Sequence, residues 1–545
     1  MRRFRLISGM VALEALMLAV VIWGSPYAPV VQPCPENIEE IWAIEDARWE
    51  SEAPIVTVLE NCGMPLAYEA ATDTFYCTLG LDLEDGWPNI HITAPDAQGV
   101  ELVFVDDYEY DLCSDAVKDG YSYGILAYTD EAYHYAQIVF TGLPLIVVEC
   151  DEEIGDIDVP MKVMISADGY EPIVSTGNIH LRGNSSKSST KKNLKVEFTR
   201  SQGGKRNPVV VPEIGLRDDL LLNPMVFDER LVRDKLCWEL YGEMLGLKYN
   251  GGFGARKTAY AELFLNGEYY GIYLMMEPME EEKELLKTGA SHLLTDSVYR
   301  VLPAKYERGR PIFIDPTSEG LSFELRYEPT GSAQFAALAS YIELLLEEDD
   351  EAFVRKAEAC VDIESVVRYV LLLQATALSD NRQNNVYIWA RRTEEGMRYQ
   401  LAPWDMDMSW GKAWGGMDDK FGANLNGWYS FEILDRIIRC NAGGAADLIV
   451  KRWREWRKDI FDVNHIGEMV NKYYKQLWES GALMRNDQRW GYETNPEAYA
   501  FIDFAEIRFA AMDRAMDAIE NRNEVFPAFL ENKNSKSKFV LIPDM

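Results

Sequence analysis

The stretch LSDNRQNNVYIWARRTEEGMRYQLAPWDMDMSWG, residues 378–411, carries four oxygen-rich side chains at the ends of one strand pattern: Asp380, Asn385, Asp405 and Asp407. Carboxylates and a carboxamide are hard donors suited to a divalent cation such as Mg2+. A carboxylate beside such a cation can also take a proton from an attacking hydroxyl. Cation, donors and base together are what transfer at a phosphate needs, because the phosphate charge must be offset while the hydroxyl is aimed and deprotonated.

The elements that must position these groups can be read around them. The periodic apolar run VVRYVLLLQATALS predicts a buried helix ending at Asp380, and a short loop then runs to Asn385. VYIWARR and MRYQLAPWD predict two strands paired across the turn TEEG, which delivers Asp405 at the end of the second. An Asp, an Asn five positions on, and a hairpin bringing a second Asp is the arrangement of a protein-kinase catalytic loop. Taken singly, each residue reads equally well as a turn cap or loop amide, and only the joint spacing argues for chemistry. A calcium site built from Asp405, Asp407, Asp418 and Asp419 is the competing chemical reading, although the EF-hand spacing is absent.

A phosphate-bearing ligand also calls for cations. HLRGNSSKSSTKKNLKVEF places Arg182, Lys187, Lys191, Lys192 and Lys195 around a Gly-Asn-Ser-Ser loop between two predicted strands. Backbone amides of such a loop, with an adjacent Lys, can hold phosphates, although no Walker-type motif is present. This island is local. The chain has 54 Lys plus Arg against 89 Asp plus Glu, a formal net charge of -35, which excludes nucleic acid as a natural partner and suits a basic one.

With 545 residues, 48% of them hydrophobic, the chain can bury a large core. The start combines Arg2, Arg3 and Arg5 with an apolar run Leu6–Trp23, broken by Glu14, and small residues from Ser25 to Ala28. Residues 1–28 are therefore expected to be an export signal or an uncleaved N-terminal membrane tether, giving a secreted or cell-envelope protein. Residues 29–52 read as a linker and 53–145 as a small β-sandwich-like accessory domain of short alternating runs. Four of the eight cysteines, Cys62, Cys77, Cys113 and Cys150, sit in one β-like region that runs just past this domain, where an exported context permits disulfides without fixing a pairing. No Cys/His spacing suggests zinc.

A strand-rich lobe, about 146–280, follows, then a helix-rich lobe, about 281–530, and a loose tail, 531–545. The fold class expected is α+β. Within the first lobe, AYAELFLNGEYYGIYLMMEPM predicts a hairpin turning at Asn266 and Gly267, and DERLVRDKLCWELYGEML predicts a helix with Asp228 placed to cap it.

In order along the chain, RGNSS with KKNLKVEF, LLLNPMVFDERLVRDKL, LFLNGEYYGIYLMMEPM, DNRQNNVYIW and APWDMDMSWG resemble the blocks of the CotH (spore-coat protein H) kinase family, over about residues 145–450. The resemblance implies a two-lobed, atypical protein-kinase-like fold that uses ATP with Mg2+ or Mn2+ to phosphorylate serines, often in spore-coat or secreted surface proteins. It implies Asp380 as the loop acid, Asp405 as the metal-holding acid of the PWDMD block with Asp407 sharing that task, and Asn385 as a second metal ligand. It places Arg182, Ser185 and either Lys191 or Lys192 with the ATP phosphates, and Glu277 near adenine where two lobes join. Arg233 would orient the phosphate-binding lysine or the metal acids. Thr190 stands where that family has a Pro before the lysine, so Lys191 and Lys192 remain alternatives. The expected partner is a serine-containing basic protein; a non-catalytic structural or adhesive surface protein of the same fold is the alternative.

Overall fold

Alternating strands bury one face only if a second layer or a closed cylinder covers it, and this chain uses both solutions. The computed structural model describes residues 29–80, 90–105, 113–183, 185–201, 204–246, 253–279, 296–303, 312–314, 321–327, 335–382, 384–412, 425–521 and 539–541. The expected signal or tether at 1–28, Asp418 and Asp419 lie outside the described residues. No helix among the described residues is long and apolar enough to cross a membrane. Two compact units are formed, one from Met1–Val226, Thr258–Glu277 and Tyr474–Asn495, the other from Phe227–Lys257, Pro278–Tyr473 and Pro496–Met545.

The first unit contains a closed seven-stranded barrel: Leu145–Glu149, Val159–Ser166, Ile173–Leu181, Leu194–Thr199, Asp219–Asn223, Glu268–Met276 and Thr258–Leu265, each paired with the next and the last with the first. Closure leaves no sheet edge. Its filling is apolar, with Ile146, Met161, Ile179, Phe198, Leu222 and Leu263 all buried. Asn266 and Gly267 turn the last hairpin with φ of 52° and 78°, the left-handed pair that the Asn-Gly dipeptide announces.

The accessory region before the barrel is more sheet than sandwich. Seven strands form one mixed sheet, and a three-stranded sheet of Glu60–Asn61, Met64–Pro65 and Ile92–Thr93 shares its core. Two of the seven, Val31–Gln32 and Trp49–Glu50, lie with the helix Ile38–Asp46 in the segment expected to be a linker, which therefore belongs to the accessory region. The strand Ala132–Thr141 pairs in parallel with Thr74–Thr78, a long-range pairing that short alternating runs do not reveal. No disulfide joins its cysteines; Cys77 and Cys113 lie in the apolar core, and burial pushes the Cys77 thiol up to about 12.

The second unit is an antiparallel five-stranded sheet with helices. In spatial order its strands are Ile312–Ile314, Leu321–Tyr327, Ser297–Pro303, Val386–Thr393 and Gly396–Pro403. The helix Ile363–Ala375 is capped by Asp362, whose Oδ1 accepts from the Ser365 amide at 2.9 Å and whose Oδ2 accepts from Gln400 Nε2 at 2.7 Å, fixing helix to strand. It ends earlier than expected, because Ala377 takes φ 53° and breaks the helical run. The helix expected from Asp228 starts only at Arg233, because Leu231 takes φ 61°. The terminal FVL run, expected to be loose, pairs as Phe539–Leu541 with Gly427–Tyr429.

Candidate active site

The hairpin places its acids as its register dictates. Val386 pairs with Pro403 at the open end, so Asn385 precedes the first strand where Trp404 and Asp405 follow the second. Asn385 and Asp405 both take left-handed φ, 55° and 57°, a conformation that Asn and Asp tolerate better than most residues. Ala377 and Trp410, in the flanking turns, are left-handed as well, at 53° and 51°. Unusual backbone of this kind persists only where surrounding contacts impose it, and it gathers at functional sites.

Those contacts are specific. The fully buried Asn381 donates Nδ2 to the carbonyls of Trp404, at 2.8 Å, and Asn385, at 3.3 Å, and its own carbonyl accepts from Tyr369 Oη at 2.6 Å. This amide therefore holds the loop and both strand ends together. Asp380 Oδ2 accepts from Asn385 Nδ2 at 2.9 Å and from Asn384 Nδ2 at 3.0 Å, which fixes the plane of the carboxylate. Arg300, from the neighbouring strand, donates to Asn385 Oδ1 at 2.6 Å. Asn385 thus faces Asp380 through its nitrogen and a cation through its oxygen.

The helix Arg233–Met244 supplies the rest of the setting. Asp234 Oδ1 accepts from the Met406 amide at 3.1 Å, in the middle of the Asp405-Met406-Asp407 segment. Trp238 meets Trp404 with ring centroids 5.8 Å apart, and Cys237 donates its thiol to Ser409 Oγ at 3.4 Å. Asp228 is buried just ahead of this helix, accepting from Arg233 Nη1 at 2.6 Å and from the Arg233 amide at 2.7 Å.

The electrostatic result falls on Asp407. Burial, followed by the charges of Asp405, Asp234, Asp228 and Asp380, raises its pKa well above the ordinary carboxylate value. Four acids from three chain segments thus act on Asp407 by charge, although part of Asp407 reaches solvent and Asp405 is exposed. Among the described residues no three His, Cys, Asp or Glu side chains converge as a ready-made chelate. The donor set nevertheless fits Mg2+, which characteristically takes one or two carboxylates and completes its octahedron with water and phosphate oxygens. Concentrated negative charge of this kind is relieved by a cation.

A profile of the CotH kinase protein family matches residues 179–518, more than half of the chain. The chain belongs to the CotH kinase family. No curated protein matches it. The family match runs past the hairpin through the helices Val463–Glu479 and Tyr499–Asn521, well beyond the blocks legible in the sequence.

In this CotH family member a hydrogen bond joins Asp380 to Asn385, and Arg233 pairs with Asp228; Asp380, Asp405 and Asp228 act on Asp407 by charge. The residues matched to nucleotide binding belong to the strand-rich unit. Lys191 is buried there, its ammonium donating to the Ile272 carbonyl and, at 3.1 Å, to Asn486 Oδ1, while its Nζ lies 4.8 Å from the centre of the Tyr273 ring. Burial pulls its pKa down to about 7, against a raising effect from Asp487. Lys192 donates to the Lys187 carbonyl at 2.8 Å, and Lys187 itself pairs with Asp156 at 2.6 Å. Lys195 pairs with Glu197 at 2.7 Å, so the cations of the basic island largely have partners of their own. The Arg182 amide donates to the Asn193 carbonyl at 2.9 Å. Ser185 opens the 3-10 turn Ser185–Ser188, its side chain lying outside the described residues. Glu277, buried after the strand Glu268–Met276, pairs with Arg217.

Sequence reasoning passed over Asp234, Asn381 and Arg300 as parts of the site. Asp234 had a signal: the consecutive charges Arg233, Asp234 and Lys235 sit at a helix start that is buried throughout. Arg300 had none, since it lies 85 positions before its partner Asn385.

Proposed function

We propose that this protein is an exported kinase that transfers phosphate from ATP, with Mg2+ or Mn2+, to serine residues of a basic surface or coat protein. The family supplies the kinase reading in general terms, and the Asp380–Asn385 hydrogen bond at the open end of the hairpin, where the second strand runs on into Asp405 and Asp407, is the observation that carries it to this site. Asp380 would receive the serine hydroxyl proton. Two amides on one of its oxygens hold the carboxylate plane, as a base that must meet one hydroxyl requires. Asp405 and Asp407 would hold the cation, Asn385 joining them only by exchanging the bond that its Oδ1 accepts from Arg300, and the Asp234 bond to the Met406 amide keeps the two acids in place. When bound, the cation offsets charge on the phosphate oxygens. The net charge of -35 supports a basic partner.

Thermal unfolding with MgATP separates the roles. At ligand far above its Kd, binding stabilises by roughly 2–4 kcal/mol, enough to move the midpoint by several degrees. Wild type and Asp380→Ala should both gain this stability, whereas Asp405→Ala should not. An equal gain in Asp405→Ala would remove Asp405 from the metal site.

A further inference from the structure

We infer that the outer face of the helix Ile38–Asp46 in the accessory region is a docking surface for lysine- and arginine-rich protein segments. It rests on the kinase reading only in naming that segment as part of the phosphate acceptor. The helix buries one side and leaves an apolar pair on the other. Ile41 packs with Val103 and Leu126, while Ile38 and Trp42, one turn apart, are 48% and 54% exposed. Tyr135 on the adjoining strand is 36% exposed and donates its hydroxyl to Glu45 at 2.6 Å, which ties the rim of the sheet to the helix. Its ring lies 6.0 Å from that of Tyr133. Trp42 kept in water one turn from an exposed Ile38 marks a contact surface rather than a core.

Charge selects the partner. Residues 36–52 hold seven acids and one base, Arg48. That base is turned inward: Arg48 donates to the carbonyls of Thr129 and Ile44, and its guanidinium sits 4.8 Å from the centre of the Tyr128 ring. The outer face is therefore negative around exposed aromatic rings. Arg and Lys side chains satisfy both features at once, by cation–π stacking and by pairing with carboxylates. An anionic bilayer or a nucleic acid would be repelled, and a neutral glycan would leave the acids without counter-charge.

The test is anisotropy of a labelled arginine-serine repeat peptide titrated with the full-length chain, without nucleotide. Binding should weaken as salt rises, Trp42→Ala should weaken it about tenfold, and replacing Glu39 and Glu40 by Gln should lessen the salt dependence. These substitutions are on the surface, and circular dichroism checks that the fold is kept. Absence of binding, equal binding by Trp42→Ala, equal binding of a glycine-serine peptide, or Trp42-dependent retention of an oligosaccharide or a phosphatidylcholine vesicle instead would each overturn the inference. Asp380→Ala should bind the peptide like wild type. Peptide binding without phosphate transfer would thus sink the kinase reading and leave the docking surface standing.

Discussion

At the scale of single residues, Asp407 is where stability opposes the proposed metal role. Its raised pKa means that the folded chain keeps a proton that the unfolded chain releases, so stability falls as pH rises from the ordinary value of 3.8 through the raised one. Asp407→Asn should lessen that fall, to which Asp435, raised by burial to about 7, also contributes, and stabilise the metal-free protein at neutral pH by about 1 kcal/mol, while weakening Mg2+ binding. Urea unfolding across a pH series reads the first effect, and a wild type whose stability does not decline with pH would contradict it. Mg2+ favours the carboxylate, so its affinity should rise with pH over the same window. Part of this was legible in the sequence: Asp380 and Asn385 are five positions apart, and local spacing survives in any fold. Asp228 read from sequence only as a helix cap, and Asp234, whose signal was the run of charges Arg233 to Lys235, was passed over because the Met406 amide it holds lies 172 positions further on.

Among elements, the hairpins could be foreseen and the assembly of the barrel unit could not. Asn266-Gly267 and the alternating runs beside it fix their own turn and register locally. The helix Ala482–Trp490, in contrast, sits in the barrel unit through contacts more than 200 positions away. Arg485 donates to both oxygens of the fully buried Glu262, at 3.0 and 2.8 Å, and to Thr141 Oγ1 at 2.7 Å. Trp490 Nε1 donates to the Tyr270 carbonyl at 3.0 Å. Its sequence, ALMRNDQRW, has only a short apolar side and gives no hint of a buried ion pair. Removing one member of such a pair strands the other charge in the interior, so Arg485→Ala should cost roughly 3–5 kcal/mol. Chemical denaturation measures it, and a loss under about 1 kcal/mol would show that the pair behaves as a surface bridge.

For the molecule as a whole, the net charge of -35 should set the reach of the protein for its partner. Phosphorylation of a basic serine peptide should slow as salt rises, chiefly through KM, whereas an acidic serine peptide should be a poor substrate at any salt. Equal use of both peptides would detach the surface charge from substrate choice. The α+β class and the order of strand-rich then helix-rich segments were visible in hydropathy patterning, but the division into two discontinuous units was not, because a chain that leaves a unit and returns carries no compositional mark. The proposed phosphate transfer depends on the acids at the end of the Val386–Pro403 hairpin. The most direct measurement is transfer of radiolabel from ATP to an arginine-serine peptide, with Mg2+ or Mn2+, by wild type, Asp380→Ala and Asp405→Ala. Transfer by the wild type that is lost in both variants is the predicted result; transfer that survives either substitution, or a wild type that binds MgATP and the peptide yet transfers nothing, would contradict it.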